Sequence, residues 1–283
     1  MILGLKSDTV ALADYDPEWE SVAAQTIGQL WIVFGAAAKD IQHIGSTTIK
    51  GIKAKPLIDI AVCVTGFEDL TNIFTRLEEI GVYKSTNQPL TGIVLCSVKK
   101  ERHSNTLMHV HIVEFDSVQW HNHINFRDYM NKFPKKAAEY ETLKIELAEQ
   151  FSDNRDSYTI GKKAFIEECL FEAHIIKKMQ QKFDINAFEF INKGWSKDKK
   201  YYIETSDDKH MLLCVSDISE IDRKKVEYNM MERVYKLGIL TPQPLEFGVL
   251  EGGKYCYYLS DWLDGEDAET VLQLVSEDNN PEC

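Results

Sequence analysis

Asp59 is the residue of this chain whose setting most demands chemistry. It lies in Leu57-Ile58-Asp59-Ile60-Ala61-Val62-Cys63-Val64, an apolar run of strand type. An unpaired carboxylate is costly there and calls for a metal ion or a cationic side chain. Just upstream, an apolar approach ends in Gly45-Ser46-Thr47 and passes into small, hydroxylated and basic residues. Gly45 lets the backbone come close to a ligand, and Ser46 and Thr47 can offer hydroxyls and helix-initial N–H groups to phosphate oxygens. The order reads strand, turn, helix start, strand. Further on, Met108-His109-Val110-His111-Ile112-Val113-Glu114 alternates, so His109 and His111 share one strand face.

The elements that must hold these residues follow from the pattern around them. Asp16-Pro17 reads as a helix entry, with Trp19, Val22, Ala23, Ile27 and Leu30 forming its buried face and Gly35 near its end. A strand near 40–44, a turn and short helix near 46–54 and a strand near 57–64 come next. Phe67, Leu70, Ile73, Phe74 and Leu77 mark an amphipathic helix over 67–80, closed by Gly81. Runs 92–98 and 107–115, joined by the polar stretch 99–105, read as an antiparallel pair. From Val118 to Met179 the pattern is helical in three pieces, broken at Phe133-Pro134 and Ser152-Asp153-Asn154. A small mixed sheet carrying helices, an α/β (α+β) domain over 1–180, is the expected architecture.

The charged stretch Lys177 to Lys182 is the expected boundary, with a second domain over 184–283. Short strands are predicted at 188–193, 199–205 and 210–215, then one long helix over 219–237 stopped by Gly238, then strand character at 248–249 and 255–259. The residues from Ser276 to Cys283 are polar and read as a frayed end. The 283 residues, 44% apolar, suit one large or two ordinary domains. No apolar run is long enough to cross a membrane and the first residues lack a signal-peptide pattern, so a cytoplasmic protein is expected. The six cysteines are scattered without a Cys-x-x-Cys pair, which fits reduced thiols. Net charge is −13, and residues 184–283 hold most of the excess, 11 basic against 21 acidic residues. Binding to duplex nucleic acid is therefore not expected, whereas the nearly balanced first part can hold a small anionic molecule.

His43-Ile44-Gly45-Ser46-Thr47, Ala54-Lys55-Pro56, Ile58-Asp59-Ile60, His109-Val110-His111, Phe126-Arg127-Asp128-Tyr129 and Tyr158-Thr159-Ile160-Gly161-Lys162 together resemble the GrpB-like family of nucleotidyltransferase-fold proteins, over residues 8–178. The resemblance implies a phosphate-holding turn at Gly45, Ser46 and Thr47, with a nucleotide triphosphate or another phosphorylated small molecule as ligand. Lys55 and Lys162, in matched motifs, become phosphate contacts, each a compact point charge. It also implies a divalent metal (magnesium, manganese or zinc) and nucleotidyl transfer, a chemistry that uses two metals held by two or three carboxylates. Here Ala61 stands where a second acid would share the face of Asp59, and the neighbouring strand offers imidazoles. Asp59, His109 and His111 can accordingly be a metal and catalytic centre, a metal-free anion pocket with histidines as donors or acid–base groups, or a buried polar network. Gln42 and Lys50 depart from the family pattern, which would have an acid and a proline. Arg127 and Asp128 read as a structural pair. A catalytically silent binding or regulatory module using the same pocket is the alternative function.

Ile191-Asn192-Lys193-Gly194-Trp195-Ser196, with Glu227 on the long helix and Leu259-Ser260-Asp261-Trp262, resembles the small lobe of aminoglycoside-phosphotransferase-like kinases, a β-rich lobe with one long helix. Gly194 and Ser196 would belong to its phosphate-covering turn. Kinase chemistry requires a basic residue on the third strand to pair with the helix acid. Cys214 occupies that position, so Glu227 is expected to lack a partner and phosphoryl transfer by this part alone is not expected. Apolar surface left by an uncovered small lobe tends to find a partner, by self-association into a homo-oligomer or by contact with residues 1–183, and a nonfunctional remnant is the third alternative.

Overall fold

The computed structural model describes residues 3–4, 9–68, 70–85, 93–99, 106–193, 196–250 and 252–265. Gly194, the 100–105 connection and the stretch from 266 to 283 fall outside them. The chain divides into two compact units, Met1–His174 and Ile175–Cys283, and the division falls a few residues ahead of the Lys177–Lys182 stretch.

The first unit begins with α1 (Glu18–Phe34), whose N-cap is Pro17, one residue later than the expected Asp16; the Asp16 Oδ1 still accepts from the Glu18 N–H at 2.9 Å. Strands β1 (Ala38–Ile44), β2 (Ile58–Val64), β3 (Val82–Lys84), β4 (Ile93–Lys99) and β5 (Thr106–Glu114) form one sheet in the order β1-β2-β5-β4-β3. Only the β2–β5 pairing is parallel. Helix α2 (Thr71–Glu79) leads from β2 towards β3.

Alternation along β2 decides where Asp59 goes. Ile58, Ile60, Val62 and Val64 join Trp19, Ala23 and Leu30 of α1 in the main core. Each fully buried Ile, Val or Leu side chain among them contributes about 1.5–3 kcal/mol. Asp59, Ala61 and Cys63 therefore face the other side. There Ala61 and Cys63 pack with Ile44, Val113 and Trp120 under α3 (Val118–Lys132). Helices α4 (Pro134–Gln150), α5 (Arg155–Gly161) and α6 (Lys163–Gln180) follow.

Three local expectations change. The short helix over 46–54 is only one 3-10 turn, Ser46–Thr48, because Gly51 takes φ 77° and Ala54 forms a β-bridge with Ala13. The segment after the 3-10 turn is thus bent and turned over 49–52 and tied to the chain's N-terminal part at Ala54. Strand β3, only three residues long, carries too little pattern to be read. The helical region has four pieces, the last division coming at Lys162.

The second unit is an antiparallel sheet of β6 (Ile185–Ile191), β7 (Lys199–Thr205), β8 (His210–Asp217), β9 (Pro244–Val249) and β10 (Tyr255–Asp261), ordered β6-β7-β8-β10-β9. Its single long helix, α7 (Ile221–Lys236), follows β8 and precedes β9. Leu237 and Leu240, just after α7, are strongly exposed. Among the described residues no helix is long and apolar enough to cross a membrane.

Candidate anion site in the first unit

Register brings the predicted residues together. Parallel pairing of β2 with β5 puts Asp59 opposite His109 and Ala61 opposite His111. His111 Nε2 lies 3.1 Å from Asp59 Oδ1. The Asp59 and His111 side chains are 25% and 20% exposed, so the pair can be reached from solvent. Burial pushes the Asp59 carboxyl up, but the hydrogen bond from His111 and the charges of His111, His109 and Lys55 outweigh it and hold it at about 2. Asp59 is ionised, so His111 donates to it through Nε2–H.

Gly45 serves this carboxylate directly. Its φ of 76° and ψ of −171° are open essentially to glycine alone. A Cβ there would stand 2.5 Å from Asp59 Oδ2. The close approach predicted at Gly45 is thus an approach to Asp59. Ser46 is half-buried at the start of the turn, while Thr47 is fully buried with its Oγ1 3.0 Å from His43 Nε2.

His109 is turned to a partner that the sequence did not suggest. Arg155, the first residue of α5, donates to His109 Nε2 at 2.8 Å. A guanidinium only donates, so the imidazole proton sits on Nδ1, towards Ser97 Oγ at 3.4 Å. Burial is the main reason the His109 pKa falls to about 4, with the Arg155 charge adding to it. Burial likewise lowers His43 and His123 to about 4. His123, on α3, has its ring centroid 5.2 Å from that of His111, and its buried Nε2 has no hydrogen-bond partner among the described residues. Near Asp59, then, His43, His109 and His123 are neutral at pH 7.

The predicted lysines complete the site. Lys55 and Lys162 both lie against the buried Tyr158 ring, 5.3 and 4.5 Å from its centroid. Burial lowers the Lys55 ammonium to about 8, helped by the charges of Arg155 and Lys162. Lys162 falls to about 8 for the same main reason, with Arg155 again contributing. Lys55, Arg155 and Lys162 are each half-buried. They form a cationic cluster beside one carboxylate, and they repel one another.

Arg127 has the structural role expected of it, and a wider one. Besides Asp128 at 2.8 Å it donates to Gln42 Oε1 at 3.0 Å and to the His43 carbonyl at 3.1 Å, fixing α3 to β1. Gln42, where the family pattern would have an acid, is thereby an acceptor for Arg127.

A divalent metal is not fitted by this arrangement. Among the described residues no three His, Cys, Asp or Glu side chains are grouped to hold a metal ion. Both His109 nitrogens face Ser97 and Arg155, and Ala61 offers no donor. A guanidinium charge occupies the neighbourhood in which the trio Asp59, His109 and His111 would have to converge on a cation.

In the second unit, Glu227 does have partners. Arg223 donates to it at 2.6 Å and Lys224 at 3.0 Å. Lys224, 3% exposed, also donates to Asp198 at 2.6 Å, and Ser216 donates to the other Asp198 oxygen at 2.7 Å. The basic partner absent from β8 at Cys214 is supplied from α7 itself. Helical spacing of Arg223 and Lys224 with Glu227 could have signalled this. Ser196 hydrogen-bonds Asp198. The signals for Arg155 and His123 were weaker, since neither stands at a fixed spacing from Asp59.

Comparison with known proteins covers this first unit. The family model "GrpB protein" matches residues 9–172. The glutamate-rich protein GrpB of Alkalihalophilus pseudofirmus is 37% identical over 173 residues, spanning 60% of this chain and 99% of that protein. The UPF0157 protein YqkA of Bacillus subtilis is 31% identical over 58% of this chain and 47% of its own length. The crystal structure of the conserved protein GrpB from Enterococcus faecalis superposes with a TM-score of 0.54 at 32% identity, covering 60% of this chain and 99% of that one.

Proposed function

The chain belongs to the GrpB family, and on that premise we propose that its first unit binds a phosphorylated small molecule, nucleotides included, at Lys55, Arg155 and Lys162. The observation that carries this reading is the half-buried cationic cluster, in which burial and mutual repulsion depress both lysines to about 8. A phosphate group entering between them relieves that repulsion and restores the protonated forms. Ser46, half-buried beside Gly45 at the start of the turn, would add a hydroxyl donor.

Two classes of function share this pocket. In a transferase, the Asp59–His111 pair accepts a proton from an attacking hydroxyl: Asp59 orients the ring through Nε2–H and the free Nδ1 is the base. In a binding or regulatory module the same pair only completes the polar lining. The single carboxylate favours the second reading over a two-metal nucleotidyl transfer, and no step is assigned to a metal. The nucleotidyltransferase fold remains an inference from the motifs at Gly45-Ser46 and Asp59. For the second unit we propose a kinase-like small lobe, supported by its antiparallel sheet and by the long helix between β8 and β9. The internal engagement of Glu227 supports a structural role for that helix acid.

Thermal shift tests the proposal. Nucleoside triphosphates and pyrophosphate, each with and without magnesium, manganese or zinc, are titrated against wild type, Lys55→Ala and Asp59→Ala. The reading expects stabilisation of wild type that is lost in Lys55→Ala; a concentration of 100 Kd corresponds to about 2.7 kcal/mol. Stabilisation that needs a metal and vanishes in Asp59→Ala would contradict the metal-free reading of the site. No shift with any phosphate would reject the proposal.

A further inference from the structure

Helix α4 carries a pair of residues that act on the anion site from behind. Glu141 and Lys144, one helical turn apart, face the segment that follows the 3-10 turn. Glu141 Oε1 accepts from the Lys53 N–H at 2.5 Å. Lys144 Nζ donates to the carbonyl oxygen of the same residue. Both peptide groups flanking the Lys53 Cα are therefore held by α4, while the next residue, Ala54, is held through its own N–H and C=O by Ala13. Lys55 comes immediately after. Its side chain leaves a backbone that is held at Lys53 and Ala54, the two residues before it.

Lys144 is an expensive choice for this task. It is 1% exposed, and among the described residues no carboxylate lies within ion-pair distance of its ammonium. The face of the Tyr140 ring, 4.8 Å away, gives partial compensation. A neutral donor would hold a carbonyl at lower cost. What a lysine adds is a charge that senses the anion site, because Lys162 acts on it electrostatically.

We propose that Lys144 is a positioning residue for phosphate binding, clamping Lys53 so that Lys55 stands beside Arg155 and Lys162, and that its proton is held more tightly when a multiply charged phosphate occupies the cluster. This deepens the phosphate-binding reading and rests on it. The ligand class it favours is a polyphosphate or a phosphomonoester dianion, since the three cations of the cluster, Lys55, Arg155 and Lys162, outnumber the carboxylate of Asp59 beside them, while the Glu141 charge acts on Lys144 behind it. Burial first, and the Lys162 charge second, lower Lys144 to about 7. The free protein at pH 7.5 thus holds this lysine only partly protonated, and ligand binding draws a proton onto it.

The test is calorimetric titration of the full chain with pyrophosphate at pH 7.5 in two buffers of different ionisation enthalpy, which yields affinity and proton uptake together. Lys144→Met and Lys144→Gln are compared with wild type, their folding verified by circular dichroism; the Ala13–Ala54 bridge and Glu141 remain to hold the segment. Either folded variant is expected to bind about tenfold more weakly and to take up fewer protons than wild type. A folded variant with wild-type affinity and uptake overturns the role of Lys144 while leaving the phosphate site standing. Absence of pyrophosphate binding in wild type removes both.

Discussion

Replacing Gly45 with alanine exposes how tightly the turn and the carboxylate are built against each other. At φ 76° and ψ −171° the backbone lies in a region that a residue with a Cβ enters at a cost of about 1–3 kcal/mol. The new methyl group would also stand 2.5 Å from Asp59 Oδ2 and 3.0 Å from its Cβ. Both atoms belong to Asp59, whose backbone is held in β2 between β1 and β5, so its side chain has to turn away and release the 3.1 Å bond to His111. Losing a hydrogen bond to a charged group adds roughly 1.5–3 kcal/mol. Gly45→Ala should therefore destabilise the first unit by about 3 kcal/mol or more in urea denaturation. Asp59→Ala separates the two causes: in that background the contact with the carboxylate is gone, leaving backbone strain and the 3.0 Å approach of the two Cβ atoms. The double mutant should then be more stable than additivity predicts by about 1 kcal/mol or more. A neutral Gly45→Ala, or strictly additive effects, would refute the claim that the glycine is there for Asp59.

Other outcomes follow from the same geometry. Sulfate, whose charge is constant over the range, should bind the first unit progressively more weakly as pH rises through about 8, because Lys55 and Lys162 lose their protons there; calorimetry from pH 6.5 to 9.5 measures this, and a flat profile would contradict it. Stability should fall as pH drops from about 6.5 towards 4. The unfolded chain takes up protons that His43, His109 and His123, lowered to about 4, refuse in the folded state. Asp59, ionised down to about 2, adds stability above its unfolded value near 4 that is lost at still lower pH; urea midpoints across this range test both. In the second unit, Lys224→Met leaves the buried Asp198 without its cation and should cost about 3–5 kcal/mol. A thermal transition unchanged by Lys224→Met would show that the ion pair contributes nothing.

How far the site was legible in the sequence depended on the range of the signal. Asp59 stood out because a carboxylate in an apolar strand is anomalous on its own, and His109 and His111 because strand alternation fixes their shared face. Lys55 and Lys162 entered only through motif resemblance. Arg155 and His123 gave no comparable signal: they meet His109 and His111 through the return of helices α5 and α3 onto the sheet, a tertiary event with no period. The second half of the predicted 46–54 helix failed for a related reason. Its small and basic residues suit a helix locally, but pairing with Ala13 and the clamp on Lys53 hold it out of a helix. Glu227 was misjudged because its partner was sought on a strand, whereas Arg223 and Lys224 stand on its own helix.

The cationic cluster is the centre of this account, and a crystal structure of the full chain grown with pyrophosphate tests it most directly. The prediction is an anion in contact with Lys55 Nζ, Lys162 Nζ and the Arg155 guanidinium, with the Arg155 bond to His109 redirected or shared. Pyrophosphate bound elsewhere, with Arg155 still on His109 and no density between the two lysines, would contradict it.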